Sequence, residues 1–290
     1  MKAIETKFPG ELNSSFIVKD HSLYSAYLER SLLELRIQIY DPDKNKLFNV
    51  NLLNLKPCGE CQKYCMTPMI YTDGTNMFVL CETCDEMKTF RIKVDLVKRK
   101  AYYCVHKDFK KTRSSVPTEA GKLIIQDAQK LSVISLDKSL IKLSAFPSNT
   151  VFKWSVNFIS AFIYGSKFFY ISDTGNTAFT VDMEKMTVTG KNQITVPTKA
   201  AMSLNSGRTN KTLVFPHYAI IVQYNQFSEV KFFKLDLDKW KLDEVTDSIN
   251  WKEQIDKVLH VGQDDEAVYV LGKTNKDTNH IWKLNFTKKG

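Results

Sequence analysis

The sequence predicts an all-β chain assembled from repeated small sheets, and three observations lead there. Short runs of alternating apolar, β-branched and aromatic residues recur about every 8 to 12 residues, with polar turns between them. Helical spacing is nearly absent: the best instance, Ser248 ahead of Trp251, Ile255 and Val258, reads as a brief helical turn in a connection with Ser248 as its N-cap. One turn signature returns six times, an apolar residue followed by Asp or Asn, with Lys three positions later in five copies.

In chain order the copies are Tyr40-Asp41 with Lys44, Val94-Asp95 with Lys98, Leu136-Asp137 with Lys138, Val181-Asp182 with Lys185, Leu235-Asp236 with Lys239, and Leu284-Asn285 with Lys288. The Asp or Asn positions are separated by 54, 42, 45, 54 and 49 residues. An Asp or Asn closing a strand accepts a hydrogen bond from backbone two residues on and so starts a turn. The lysine stays in water at the tip, and an apolar run restarts within a few residues, as at Leu47-Phe48, Tyr102-Tyr103 and Trp240 to Leu242. Upstream of each signature stand further runs, such as Ala161 to Tyr164 with Phe168 to Ile171, and Val258 to Val261 with Ala267 to Leu271.

About four strands in a period of 40 to 50 residues is the arithmetic of a β-propeller, so the expectation is one six-bladed propeller domain over residues 1–290. The outer hairpin from Leu35 through Tyr40-Asp41-Pro42-Asp43-Lys44 to Phe48 resembles that of the kelch-type propeller family, although the paired glycines of that family have only Leu271-Gly272 as a counterpart and its late tryptophan only Trp240. The resemblance implies a module that holds a protein or peptide partner. The third repeat, roughly 107–148, shows only three clear runs: at Leu123, at Leu131 and from Leu140 to Leu143. The last repeat ends at Gly290 without residues for an outer strand, while the run from Lys2 to Phe8 belongs to no repeat. The N-terminal run is therefore expected to supply that strand and close the last blade.

Chemistry is sharpest within 58–84. Cys58-Gly-Glu-Cys61 and Cys81-Glu-Thr-Cys84 are CxxC pairs nineteen residues apart, a spacing suited to a four-thiolate structural zinc site. Asp73-Gly74 between Met69-Ile70-Tyr71 and Met77-Phe78-Val79-Leu80 predicts a two-residue hairpin turn setting 72 opposite 75 and Met66 opposite Cys81. Both pairs then reach the same open end of the ribbon. Cys65, Cys104 and His106 are further candidate ligands, and the alternative is a set of reduced, buried thiols.

The chain carries a net charge of +9, concentrated at 91–113: Arg91, Lys93, Lys98, Arg99, Lys100, Lys107, Lys110, Lys111 and Arg113 stand against Asp95 and Asp108. Tyr102, Tyr103 and Phe109 lie among them, an interleaving that a nucleic-acid surface uses and that edge-protecting lysines also produce. No run of apolar residues reaches membrane-spanning length and the first residues lack a signal-peptide core, so an intracellular setting is expected. No phosphate-loop, nucleophile-elbow or HExxH pattern occurs, and the five histidines stand apart. These readings converge on a non-enzymatic interaction scaffold carrying structural zinc. A nucleic-acid binder using the zinc clip and the basic stretch is the alternative, and a loop-built propeller enzyme is the third.

Overall fold

A computed structural model describes residues 3–7, 16–29, 34–51, 69–72, 76–82, 89–95, 100–106, 114–117, 122–127, 130–135, 142–145, 160–165, 167–171, 175–182, 187–196, 209–224, 230–253 and 255–286. The chain divides into two compact units, one of Pro9–Ala145 and one joining Met1–Phe8 to Phe146–Gly290. Among the described residues each sheet of both units is antiparallel and four-stranded.

The first strand, β1 (Ala3–Lys7), belongs to the second of these units and is taken up below. The Pro9–Ala145 unit opens with the sheet β2 (Phe16–Lys19), β3 (Ser22–Glu29), β4 (Glu34–Asp41) and β5 (Lys46–Asn51), ordered as in the sequence. Lys19 pairs with Ser22, leaving Asp20 and His21 as a two-residue turn with φ of 50° and 59°, the primed geometry that matches strand twist. Phe16, Val18, Leu23 and Tyr40 are buried on one face of this sheet, as the alternation along β2 requires, and Ile37 is buried on the other.

Next come β6 (Met69–Thr72), β7 (Asn76–Glu82), β8 (Thr89–Asp95) and β9 (Lys100–His106). The hairpin at Asp73-Gly74 is present, but its register differs from the two-residue expectation: Thr72 pairs with Met77, not with 75. Residues 73–76 separate the paired positions, and Asn76 already belongs to β7, where its partner is Asp95 of β8 and not a residue of β6. The slip of two residues keeps each side chain position on its expected face, and the β6–β7 ladder ends at Leu80, one position before Cys81. The sheet of β10 (Ser114–Pro117), β11 (Lys122–Asp127), β12 (Lys130–Ser135) and β13 (Lys142–Ala145) follows. It has the fourth strand that the sequence hides, since Ser114-Ser115-Val116-Pro117 is polar and ends in a residue without a backbone donor.

In the other unit, β14 (Ser160–Tyr164), β15 (Lys167–Ile171), β16 (Thr177–Asp182) and β17 (Thr187–Gln193) form one sheet. The next sheet is β18 (Thr209–Val214), β19 (Tyr218–Tyr224), β20 (Lys231–Asp236) and β21 (Lys241–Glu244). The helical turn expected from Ser248 lies earlier, a single 3-10 turn over Thr246–Ser248, because Lys257 already begins β22 (Lys257–Gln263). Then β23 (Val268–Lys273) and β24 (Asn279–Leu284) complete a three-strand meander.

The strand β1 pairs antiparallel with β24, Ala3 opposite Leu284 and Lys7 opposite His280, giving the order β1-β24-β23-β22. The N-terminal run thus supplies the outer strand that the end of the sequence lacks.

The strand β19 shows why such sheets pack face to face. Ala219 and Ile221 join one apolar cluster with Phe162, Phe169 and Phe233, while Ile220 and Val222 join another with Val268, Val270 and Trp282. Both faces of the strand are therefore buried, and its sequence Tyr-Ala-Ile-Ile-Val-Gln-Tyr is apolar on both parities where an exposed sheet would alternate. Trp282, with no exposed surface, meets Trp251 edge-on at 6.5 Å and stacks on His280 at 5.7 Å.

Candidate functional site

The repeated aspartates are turn makers. Asp41 Oδ1 accepts the backbone N–H groups of Asp43 and Lys44, both at 3.1 Å, and Asp236 Oδ1 accepts those of Asp238 and Lys239 at 3.0 and 2.8 Å. The Lys44 ammonium donates to Asp41 Oδ2 at 2.9 Å, and this bond, more than the backbone bonds, holds the Asp41 carboxyl below its ordinary pKa. For Asp236 the Lys239 backbone N–H is the main cause of the same shift. In four copies the carboxylate residue pairs with the residue five positions on: Asp41 with Lys46, Asp95 with Lys100, Asp182 with Thr187, and Asp236 with Lys241. Asn45 and Trp240, the residues just before β5 and β21, take positive φ of 49° and 51° to close their loops.

Of the expected zinc ligands, Cys81 is the penultimate residue of β7, while Cys58, Cys61 and Cys84 lie outside the described residues, as does Cys65. The β6–β7 ladder sets Met69, the first residue of β6, opposite Leu80, the neighbour of Cys81 in β7. Cys81 pairs with Phe90 and, through it, with the row of Val105; Cys104 and His106 occupy the alternate rows with Arg91 and Thr89. Adjacent rows project from opposite faces, so the backbone register separates Cys104 and His106 from Cys81. Among the described residues no group of three His, Cys, Asp or Glu converges as a metal site.

The basic stretch is placed in part. Arg91 and Lys93 in β8 pair with Cys104 and Tyr102, and Asp95 with Lys100, so these share one face of the β8–β9 hairpin. Phe90, Ile92 and Val94 pair with Val105, Tyr103 and Ala101 on the other. Lys98, Arg99, Lys107, Lys110, Lys111 and Arg113 lie outside the described residues.

A different cluster, which the sequence reading passed over, stands on the first strands of two neighbouring sheets. Gln263 at the end of β22 donates through Nε2 to the Val214 carbonyl at the end of β18, 2.7 Å away. The same end of β14 is tied by Tyr164, whose hydroxyl donates to the Pro216 carbonyl at 2.6 Å. Near the first tie, Lys211 of β18 remains in contact with solvent, yet the surrounding protein strips enough water from its ammonium to lower its pKa. His260 of β22 is pushed down to about 4, first by burial and then by the charge of Lys211. Burial raises the pKa of Tyr224, which packs against the apolar cluster around Trp282. Lys211 and His260 are 49 residues apart, the same separation as Asp236 and Asn285, so aligning the repeats on their turns would have placed the two side by side.

No protein-family model and no curated protein matches the chain. Solved structures do match its fold. A chain of the "Mitotic Checkpoint Complex" is similar over 97% of this chain and 91% of that one, at 8% identity and a TM-score of 0.56. The "Luciferin-regenerating enzyme" is similar over 99% and 96%, at 12% identity and 0.57. The β-propeller domain of the Trilobed protease from Pyrococcus furiosus is similar over 94% and 95%, at 12% identity and 0.50. The fold is β-propeller-like. These neighbours include an enzyme, a domain of a protease and a member of a protein complex, so the fold accommodates catalysis and assembly alike. Among the described residues no helix is long and apolar enough to cross a membrane.

Proposed function

We propose that residues 1–290 form a single six-bladed β-propeller of kelch-like character, closed by its N-terminal strand, that serves inside the cell as a non-enzymatic scaffold for a protein or peptide partner. The observation that carries this reading is the pairing of β1 with β24, which supplies an outer strand from the far end of the chain to a sheet that would otherwise have only three. Sheets whose central strands are covered on both faces, like β19, suit radial stacking and leave function to the loops. The turns built on Asp41 and Asp236 hold such loops in one conformation, which lowers the entropic cost of docking a partner.

In this reading a structural zinc ion joins Cys58 and Cys61 to Cys81 and Cys84 in the second blade, tying the segment before β6 to the turn after β7. The pairing of Met69 with Leu80, which sets the start of β6 beside the end of β7, supports it, and the alternate-row positions of Cys104 and His106 favour the paired CxxC set over them. Metal analysis of the purified chain tests the clip: one tightly held zinc per chain is expected, lost in a Cys81→Ser, Cys84→Ser variant. A metal-free, folded wild-type chain would remove it. For the scaffold, a partner recovered from cell extract should bind the purified chain directly in a calorimetric titration, saturate at a fixed stoichiometry, and leave unmodified. A partner that is chemically turned over would instead support the enzyme reading.

The shared face of Arg91, Lys93, Lys100 and Tyr102 on the β8–β9 hairpin favours a second reading, an RNA- or DNA-binding surface. It requires binding to a single strand that weakens steeply as salt rises, through release of counterions from the phosphates. No binding at low salt would end it.

A further inference from the structure

Ile194, Thr195 and Val196, directly after β17, join two sheets through their backbone. The Ile194 N–H donates to the Asn176 carbonyl at 2.8 Å, just before β16 in the sheet that the chain is leaving. One residue on, the Thr195 N–H donates to the Trp240 carbonyl at 2.9 Å, and the Thr195 carbonyl accepts the Leu242 N–H at 3.0 Å, a parallel bridge centred on Lys241. Strand β21 is the end strand of its sheet, paired with β20 on its inner side, so the bridge lies on its outer edge. The segment after β21 does the same to another sheet. Asn250 offers its carbonyl to the Ala3 N–H at 3.2 Å, and β1 is the end strand of the sheet β1-β24-β23-β22.

The two segments also match in their side chains. Ile194 and Ile249 are buried, Thr195 and Asn250 are exposed, and Val196 and Trp251 are partly buried against the apolar clusters. Thr195 follows Asp182 by thirteen residues and Asn250 follows Asp236 by fourteen, so the feature travels with the repeat. Apolar flanks anchor each segment, and the middle residue turns its peptide groups to the strand edge. The β20–β21 turn is shaped to receive the first segment. Trp240 carries the accepting carbonyl at a φ of 51°, unusual for so bulky a residue, and its ring lies 5.3 Å from that of Phe169 in β15.

An end strand presents N–H and C=O groups that another chain can use to extend the sheet. We infer that residues 194–196 and 249–251 are edge guards, straps that occupy the outer edges of β21 and β1 and keep a second copy of this chain from adding a strand there. The excluded partner is a second copy because the segment that fits the β21 edge belongs to this same sequence, and every other copy carries it. Charge continues the protection along β21, where Lys241 and Asp243, both partly exposed, pair at 2.9 Å. The guard acts whether or not the loops hold a partner, so this inference and the scaffold reading fail separately.

The test uses the full chain carrying Thr195→Pro, which deletes the donor to the Trp240 carbonyl, with Thr195→Val as the control that keeps both backbone bonds. Amide exchange is read residue by residue by NMR, and association by sedimentation velocity over a range of concentrations. In Thr195→Pro the Leu242 amide should exchange at least about tenfold faster, as one lost hydrogen bond implies, and larger species should grow with concentration relative to wild type. Thr195→Val should match wild type in both. Unchanged Leu242 exchange in Thr195→Pro overturns the strap, and faster exchange without self-association overturns the guard. Equal self-association by Thr195→Val also overturns it, since that variant retains the bonds. Where Thr195→Pro fails to fold, Val196→Gly takes its place with the same expected and refuting results, because it removes one anchor of the strap.

Discussion

Lowering the pH should destabilise this protein through His260, over a window that its environment defines. The ordinary histidine pKa of 6.5 falls to about 4 in the folded chain, chiefly because β22 sits among packed sheets and secondly because Lys211 is positive. The unfolded chain binds a proton at this residue below about pH 6.5, whereas the folded chain resists until about pH 4. Stability is therefore at its full value above the unfolded pKa and declines as pH falls through the window towards the folded one. At about 1.4 kcal/mol per pKa unit the shift corresponds to roughly 3 kcal/mol, a large share of the 5–15 kcal/mol that ordinary domains have in hand. Carboxylates also titrate there, so the informative quantity is the difference between wild type and His260→Gln. Urea unfolding curves at a series of pH values would measure it. The wild-type curve should lose about 3 kcal/mol more than the variant between pH 7 and pH 4. Parallel losses in the two proteins would refute the argument and place the imidazole in ordinary solvent.

Other perturbations read different parts of the molecule. Trp282→Ala removes a side chain with no exposed surface from the cluster that also holds Phe232 and Val270, and should cost about 3–5 kcal/mol in urea unfolding. Gly272→Ala drives a methyl group against the Lys257 carbonyl and the Trp282 ring, and should cost about 1–3 kcal/mol by the same measurement. Deleting residues 1–8 leaves the β24 edge unpaired, so lower thermal stability and self-association in light scattering are expected. Asp236→Ala removes the acceptor of two backbone N–H groups at an exposed turn and should cost no more than about 1 kcal/mol, with the Trp240 loop showing faster amide exchange.

What the sequence made legible was whatever local chemistry decides. An aspartate at a strand end does the same thing wherever it falls, so Asp41 and Asp236 could be read without coordinates. The outer strand from the first residues followed from counting, because one sheet was short of a strand and one strand-length run was spare. Register was harder. Asp73-Gly74 fits a two-residue turn and a four-residue loop equally well, and the choice rests on which residues of β7 also pair with β8. Ser114 to Pro117 escaped notice because membership of a sheet edge there comes from pairing with β11 and not from side-chain pattern. Lys211 and His260 escaped for a third reason: each is ordinary alone, and only their neighbouring strands give the pair its character. For the cysteines, Cys81 is placed at the end of β7, while the other three members of the CxxC pairs are not among the described residues.

The pairing of Ala3 with Leu284 also bears on how the molecule is made. A ribosome releases residues 3–7 and must then produce residues 8–278 before their partner in β24 begins to emerge. Until then one strand-forming segment waits without its ladder, exposed to other chains and to chaperones. Closing so long a loop adds only modestly to its entropic cost, which grows with the logarithm of length, but it makes the encounter late. The β22–β24 meander should therefore stand as a three-stranded sheet until this late encounter with β1 completes it.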